Sequence, residues 1–253
     1  MAKTFEALMK AEEESQKRRE KIIALEPRLD IHRPLTNGRE SKLKISPQIL
    51  EQYRQIKQNI QKTTSGRKIK TLLFLSPSQG EGNSTILINF AITLTLEGEK
   101  VLLVDANFKN PSFHHVFDLE KENGLTELAL GKVALMDIVK GTSFKNLFVI
   151  TSGMAHSNPP SIFDSKSFLL HIEEMKTQAD WVMFDAPHIN SYDDSIALAA
   201  RVDGVIMVVE AEKTRWEVAE HAKQRVENSN GKILGVILNK RQSHIPRWLY
   251  KRL

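Results

Sequence analysis

A chain of 253 residues, 41% hydrophobic and 26% charged, is long enough to bury one large core, and with no cysteine it excludes disulfides and thiolate metal sites. Its net charge of +5 is unevenly divided: residues 1–70 hold 17 Lys and Arg against 9 Asp and Glu, residues 240–253 hold 5 against none, and residues 71–239 hold 14 against 22. The body is therefore acidic, which argues against a basic nucleic-acid face, and no apolar run approaches the roughly 18 residues of a membrane span.

Residues 1–25 read as a charged helix whose apolar cluster, Met1, Phe5, Leu8 and Met9, falls at helical spacing. This N-terminus has neither a signal-peptide core nor a glycine for myristoylation, so the chain is expected to be cytosolic or peripheral. Residues 26–46, with Pro27, Pro34 and Asn37-Gly38, read as a linker. A second helix follows Pro47. Its apolar face is Ile49, Leu50, Tyr53, Ile56 and Ile60, and Glu51, Arg54 and Lys57 recur at three-residue intervals along a neighbouring face.

From residue 70, short β-rich apolar runs alternate with amphipathic segments, the signature of βα units. Strands are predicted at 70–75, 100–105, 147–151, 180–185, 203–209 and 232–238, with helices near 84–97, 125–140, 161–178, 194–200 and 214–229. Right-handed crossovers place these helices on both faces of the sheet. The expected fold is α/β: doubly wound, mainly parallel, P-loop NTPase-like, over residues 47–240, with an N-terminal helical extension and a basic tail at 241–253. That tail suits an anionic membrane leaflet, an acidic protein partner, or merely a solvated end.

Between the first strand and its helix lies Ser76-Pro-Ser-Gln79-Gly80-Glu81-Gly82-Asn83-Ser84-Thr85. Glycines at 80 and 82 let backbone N–H groups converge on an anion, the helix start adds partial positive charge, and Ser84 is placed to bind Mg²⁺. Against G-x-x-x-x-G-K-[ST] only Gly82 and Ser84 match; Pro77 stands for the first glycine and Asn83 for the lysine. Alone, the segment is equally an ordinary Gly/Ser turn. Two other strands end in aspartate, Val101-Leu-Leu-Val-Asp105 and Trp181-Val-Met-Phe-Asp185, and ligands in such folds bind beyond the carboxyl ends of strands. Carboxylates there can hold Mg²⁺ or accept a proton from an attacking hydroxyl, although a terminal Asp is also a common strand stop or helix cap.

With these residues in view the chain resembles the bacterial tyrosine kinase family, cytoplasmic autokinases of capsule and exopolysaccharide systems. SPSQGEGNST corresponds to the Walker A loop, VLLVDANFKNPSFHHVF to the Walker A′ stretch and WVMFDAPH to Walker B, and GLTELALGK, SGMAHSNPPSIFDS, DGVIMVV and LGVILNK fit the segments between. The resemblance implies ATP and Mg²⁺ as cofactors, phosphate contacts from Gln79, Gly80, Glu81, Gly82, Asn83, Ser84 and Thr85, metal ligation by Ser84, a metal or base role for Asp105, and organisation of the metal by Asp185. It also implies a subunit interface at Glu51, Arg54 and Lys57, where the family's E-x-x-R-x-x-R helix appears with lysine in the last place, a homo-oligomer, and docking on a membrane polysaccharide chain-length modulator at the inner face of the plasma membrane. The septum-positioning and chromosome-partitioning ATPases share the fold, but their signature lysine would fall at Ser78.

Four positions depart from the family pattern: Asn83 replaces the loop lysine, Asn107 the second acid of D-x-D, Lys109 the following arginine, and Tyr250 alone represents the tyrosine-rich C-terminus. Losing a charged hydrogen bond to phosphate costs about 1.5 to 3 kcal/mol, and losing a contact to developing charge costs about 10² to 10³ in rate. The expectation is a degenerate kinase-like regulator with weak or absent nucleotide binding. A working autokinase, with Lys109 substituting in catalysis and Tyr250 as phosphosite candidate, and a positioning ATPase are the alternatives.

Overall fold

The computed structural model describes residues 22–24, 47–64, 66–154, 162–163 and 165–241. The strands are β1 (Ile22–Ala24), β2 (Thr71–Leu75), β3 (Val101–Asp105), β4 (Lys140–Gly141), β5 (Leu147–Ile150), β6 (Trp181–Asp185), β7 (Gly204–Glu210) and β8 (Ile233–Asn239). They form one sheet in the order β1-β8-β7-β2-β6-β3-β5-β4, parallel throughout except for the β4–β5 pair. The helices are α1 (Pro47–Thr63), α2 (Asn83–Leu96), α3 (Phe113–Val116), α4 (Leu125–Ala129), α5 (Leu135–Ile138), α6 (Lys166–Gln178), α7 (Asp194–Ala199) and α8 (Trp216–Asn228).

β2, β3 and β6 are buried at every position because helices cover both faces of the sheet, and the two-residue side-chain period divides each strand between two cores. Leu72, Phe74, Val101, Leu103, Trp181 and Met183 face the layer of α1 and α2. Leu73, Leu75, Leu102, Val104, Val182 and Phe184 face the layer of α4 to α8. Phe90 of α2 ties the first layer together. Its ring centroid lies 6.4 Å from that of Tyr53 in α1, 5.9 Å from Phe74 in β2 and 6.4 Å from Trp181 in β6.

Three expectations need correction. Residues 22–24 form a strand and not the end of the predicted charged helix; they pair in parallel with Val236, Ile237 and Leu238, covering a sheet edge that β8 would otherwise expose. The helix expected over 125–140 divides into α4 and α5, because Gly131 takes the left-handed conformation (φ 67) that closes α4, and its last residue falls in β4. The short α3 was not predicted at all. The rest of the expected N-terminal helix, the linker, and the C-terminal tail after Arg241, with Tyr250, lie outside the described residues. Among the described residues no helix is long and apolar enough to cross a membrane.

Candidate functional site

Sheet order places the loop after β2 between the ends of β6 and β7, so the segment 76–82 is flanked on both sides by strand ends. Gly82 precedes α2 at φ 92 and Gly80 has φ 82, left-handed conformations that glycine adopts freely. Gly82 is also fixed by space: a Cβ there would meet the Asn239 amide nitrogen at 2.3 Å. Glu81 clips the loop from inside. Its buried carboxylate accepts from the Ser78 N–H at 2.9 Å and from the Thr214 hydroxyl, and burial raises its pKa above the ordinary value. Asn239 donates to the Glu81 carbonyl at 2.8 Å and Lys240 to the Gly80 carbonyl at 2.6 Å, so the end of β8 braces the backbone of the loop.

Gln79, Gly80, Glu81, Gly82, Asn83, Ser84 and Thr85 all line one cleft of about 780 Å³, as does Lys109. Asp105 and Asp185 stand behind this lining, fully buried and directly paired across β3 and β6. The Ser84 hydroxyl donates to Asp185 Oδ2 at 2.6 Å, and Asn83 Nδ2 donates both to Asp185 Oδ1 at 2.7 Å and to the Phe74 carbonyl at 2.9 Å. Asn83 Oδ1 is buried without a hydrogen-bond partner. Asp105 accepts from the Asn107, Ser112 and Phe113 amides at 3.2, 2.9 and 3.0 Å, which turns the chain and starts α3. Asn107 lines the cleft and its Oδ1 accepts from the Asn110 N–H at 3.1 Å.

Burial raises both aspartates above the usual carboxylate range, and the charge of Asp105 raises Asp185 further. A carboxyl whose folded pKa is raised contributes stability below its unfolded pKa, and that contribution is lost as pH rises through the folded pKa. Asp185→Asn, which can still accept from Asn83 and donate to Ser84, is therefore expected to stabilise the metal-free protein more at pH 8 than at pH 4. We expect a difference of at least about 1 kcal/mol, read as roughly 2–4 °C in thermal melts with chelator. Equal shifts at the two pH values would show that the carboxylates are not strained by burial.

Lys109 Nζ lies 5.4 Å from the Tyr192 ring centroid, and the His188 ring meets the same aromatic ring at 4.9 Å. The expected interface residues are engaged within the chain: Arg54 reaches Glu97 at 3.0 Å and Glu51 at 3.7 Å, and Lys57 reaches Glu97 at 2.9 Å and Glu99 at 2.7 Å. Sequence reasoning missed Tyr192, Asn239 and Lys240 as cleft residues and gave His188 no role. For Asn239 and Lys240 the signal was available, since they directly follow the strand predicted at 232–238, on the ligand-binding edge of the sheet.

Residues 70–231 match the family described as AAA domain. The putative tyrosine-protein kinase CapB of Staphylococcus aureus is 33% identical over 192 residues, which span 76% of this chain and 84% of that protein. The tyrosine-protein kinase YwqD of Bacillus subtilis is 36% identical over 189 residues, spanning 75% of this chain and 80% of its own. Among solved structures, the chimerical protein CapA2B2 superposes with a TM-score of 0.78 at 26% identity, covering 92% of this chain and 99% of that one.

Proposed function

The chain belongs to the bacterial tyrosine kinase family, and from that premise we propose that it is a member impaired in phosphoryl transfer, a nucleotide-sensing or scaffolding regulator of exopolysaccharide assembly that docks on a membrane-embedded chain-length modulator. One observation carries the impairment. Where the family pattern has a lysine to neutralise phosphate charge, Asn83 spends its amide hydrogens on Phe74 and Asp185. Neutral donors thus satisfy both oxygens of Asp185, and no charge from position 83 enters the cleft.

The remaining donor set suits a nucleotide with Mg²⁺. The loop N–H groups and the start of α2 favour an anion, and Ser84 beside Asp185 is a hydroxyl–carboxylate pair of the kind that holds Mg²⁺. When bound, the metal would neutralise phosphate charge. The chain's own part is to orient the phosphates through the loop and to offer Lys109 at the cleft wall. Docking and self-association are assigned to α1 through Glu51, Arg54 and Lys57; the exposure of Glu51 and Arg54, whose side chains are 55% and 47% accessible, supports this.

ATP–Mg²⁺ is accordingly expected to bind with a dissociation constant above about 10 μM by calorimetry, because a missing charged contact costs about one to two decades of affinity. Sub-micromolar binding would refute the impairment. A working autokinase is the second reading, favoured by the identity to proteins named as tyrosine kinases and by Lys109 in the cleft. Incubation with labelled ATP and Mg²⁺ separates the two, since only the autokinase transfers label to protein.

A further inference from the structure

Lys109 follows β3 and lines the cleft, but a lysine carries its charge as a point on a flexible four-carbon stem and, unaided, presents it in no fixed place. Here the ammonium lies over Tyr192. Its Nζ is 5.4 Å from the ring centroid, inside the roughly 6 Å at which the electron-rich face of an aromatic ring attracts a cation. Tyr192 lines the same cleft from the loop between β6 and α7, and the pairing of Asp105 with Asp185 sets the ends of β3 and β6 side by side.

The ring is itself held. His188 packs edge-on against it, with centroids 4.9 Å apart and planes at 78°. The Ile189 N–H donates to the Ser76 carbonyl at 2.9 Å, which ties the loop to the end of β2. Arg225 of α8 donates to the Ile189 carbonyl and to Asp193 at 2.6 Å, and Asn190 donates to the Val218 carbonyl at 3.3 Å. Asp194, next in the chain, is 4% exposed, and its Oδ2 has no hydrogen-bond partner among the described residues. Burial raises its carboxyl above the usual range, and the charge of Lys109 draws it back. The ammonium therefore has two attractions on one braced loop, the face of a ring and the charge of a carboxylate.

We infer that Tyr192 is a positioning residue: its ring holds the Lys109 ammonium at the cleft wall, so that an anionic ligand meets a positive charge already in place. Such placement spares the ligand the cost of ordering the lysine. The anionic ligand rests on the nucleotide-binding reading above; the placement of the lysine does not.

The placement is read without ligand. In ¹H–¹³C spectra of the lysine-labelled full chain, the ε-methylene signal that disappears in Lys109→Met should move downfield in Tyr192→Leu, which removes the shielding ring, and keep its position in Tyr192→Phe. A signal unmoved by Tyr192→Leu would overturn the inference. Calorimetry with ATP–Mg²⁺ reads the consequence. Tyr192→Leu is expected to weaken binding about threefold to tenfold, and Tyr192→Phe, which keeps the ring, to stay within about twofold of the parent. On a Lys109→Met background the Tyr192→Leu change should cost nothing further, because the ring then has no ammonium to place. A loss that persists on that background would mean that Tyr192 only packs the loop, and unchanged or tighter binding in Tyr192→Leu would mean that the ring does not serve the ligand; either result overturns the inference. If the parent chain fails to bind millimolar ATP while the ε-methylene signal moves as expected, the nucleotide reading falls and the placement stands. Thermal melts of each variant report whether the fold is intact.

Discussion

Combining Asn83→Lys with Asn107→Asp is expected to raise ATP affinity about tenfold or more and to bring phosphoryl transfer about 10² to 10³ above that of the parent chain. The structure gives each change its place. Asn83 is 8% exposed yet lines the cleft, so the longer lysine has a path outward to phosphate. Removing the asparagine also frees Asp185 Oδ1 from an uncharged donor, and a cation beside that carboxyl favours its ionised form, opposing the effect of burial. At position 107 the loop is held by the main-chain N–H on Asp105 and by a side-chain oxygen accepting from Asn110; aspartate keeps both bonds while adding a charge at the cleft wall. The two substitutions act on one anion and one metal, so their effects should be coupled and exceed the sum of the single variants. Transfer from labelled ATP, with Tyr250 and any co-purified protein as acceptors, gives the rate. A folded double variant that binds ATP no better than its parent would show that the loop is not a latent phosphate site.

What the sequence disclosed follows from how strongly each feature is written in local pattern. The runs at 71–75, 101–105 and 181–185 are continuous and apolar because both faces of those strands are covered, and a buried parallel strand admits little else. Their carboxyl ends could therefore be placed within a residue, and Asp105 and Asp185 with them. The partners of Asn83 were not legible, because they depend on the register that sets Phe74 beside Asp185 across two strands far apart in the chain. The break at Gly131 is a single left-handed residue within a helical apolar pattern, and α3 is only four residues long, started by amides that turn back to Asp105. Neither has enough periodicity to register. The intrachain partners of Arg54 and Lys57 were hidden for another reason. Glu97 and Glu99 lie in the turn between α2 and β3, 40 to 43 residues further along the chain, and only the packing of α1 on α2 brings them near.

Phe90→Ala is expected to destabilise the fold by about 3–5 kcal/mol and to lower the melting temperature by about 6–20 °C in a chain of this size. The ring is 0% exposed and sits where three elements meet, against Tyr53, Phe74 and Trp181, so removing it opens a cavity that no single neighbour can fill. Its stacked and edge-on pairings with those rings add to the transfer cost of the aromatic surface. Its place on α2 gives the change a functional reach. The same helix carries Asn83 and Ser84 at its start, and the Tyr53 pairing helps to seat α1, which also bears Arg54 and Lys57. Loosening this layer should therefore weaken both nucleotide binding and any assembly through α1, in step with the fall in stability. Leu96→Ala, on the same helix but at a residue 63% exposed, is the matched control and should change stability by less than about 0.5 kcal/mol. Denaturant titrations of the two variants give both values. A Phe90→Ala cost near that of Leu96→Ala would mean that α1 and α2 are not held to the sheet through this ring.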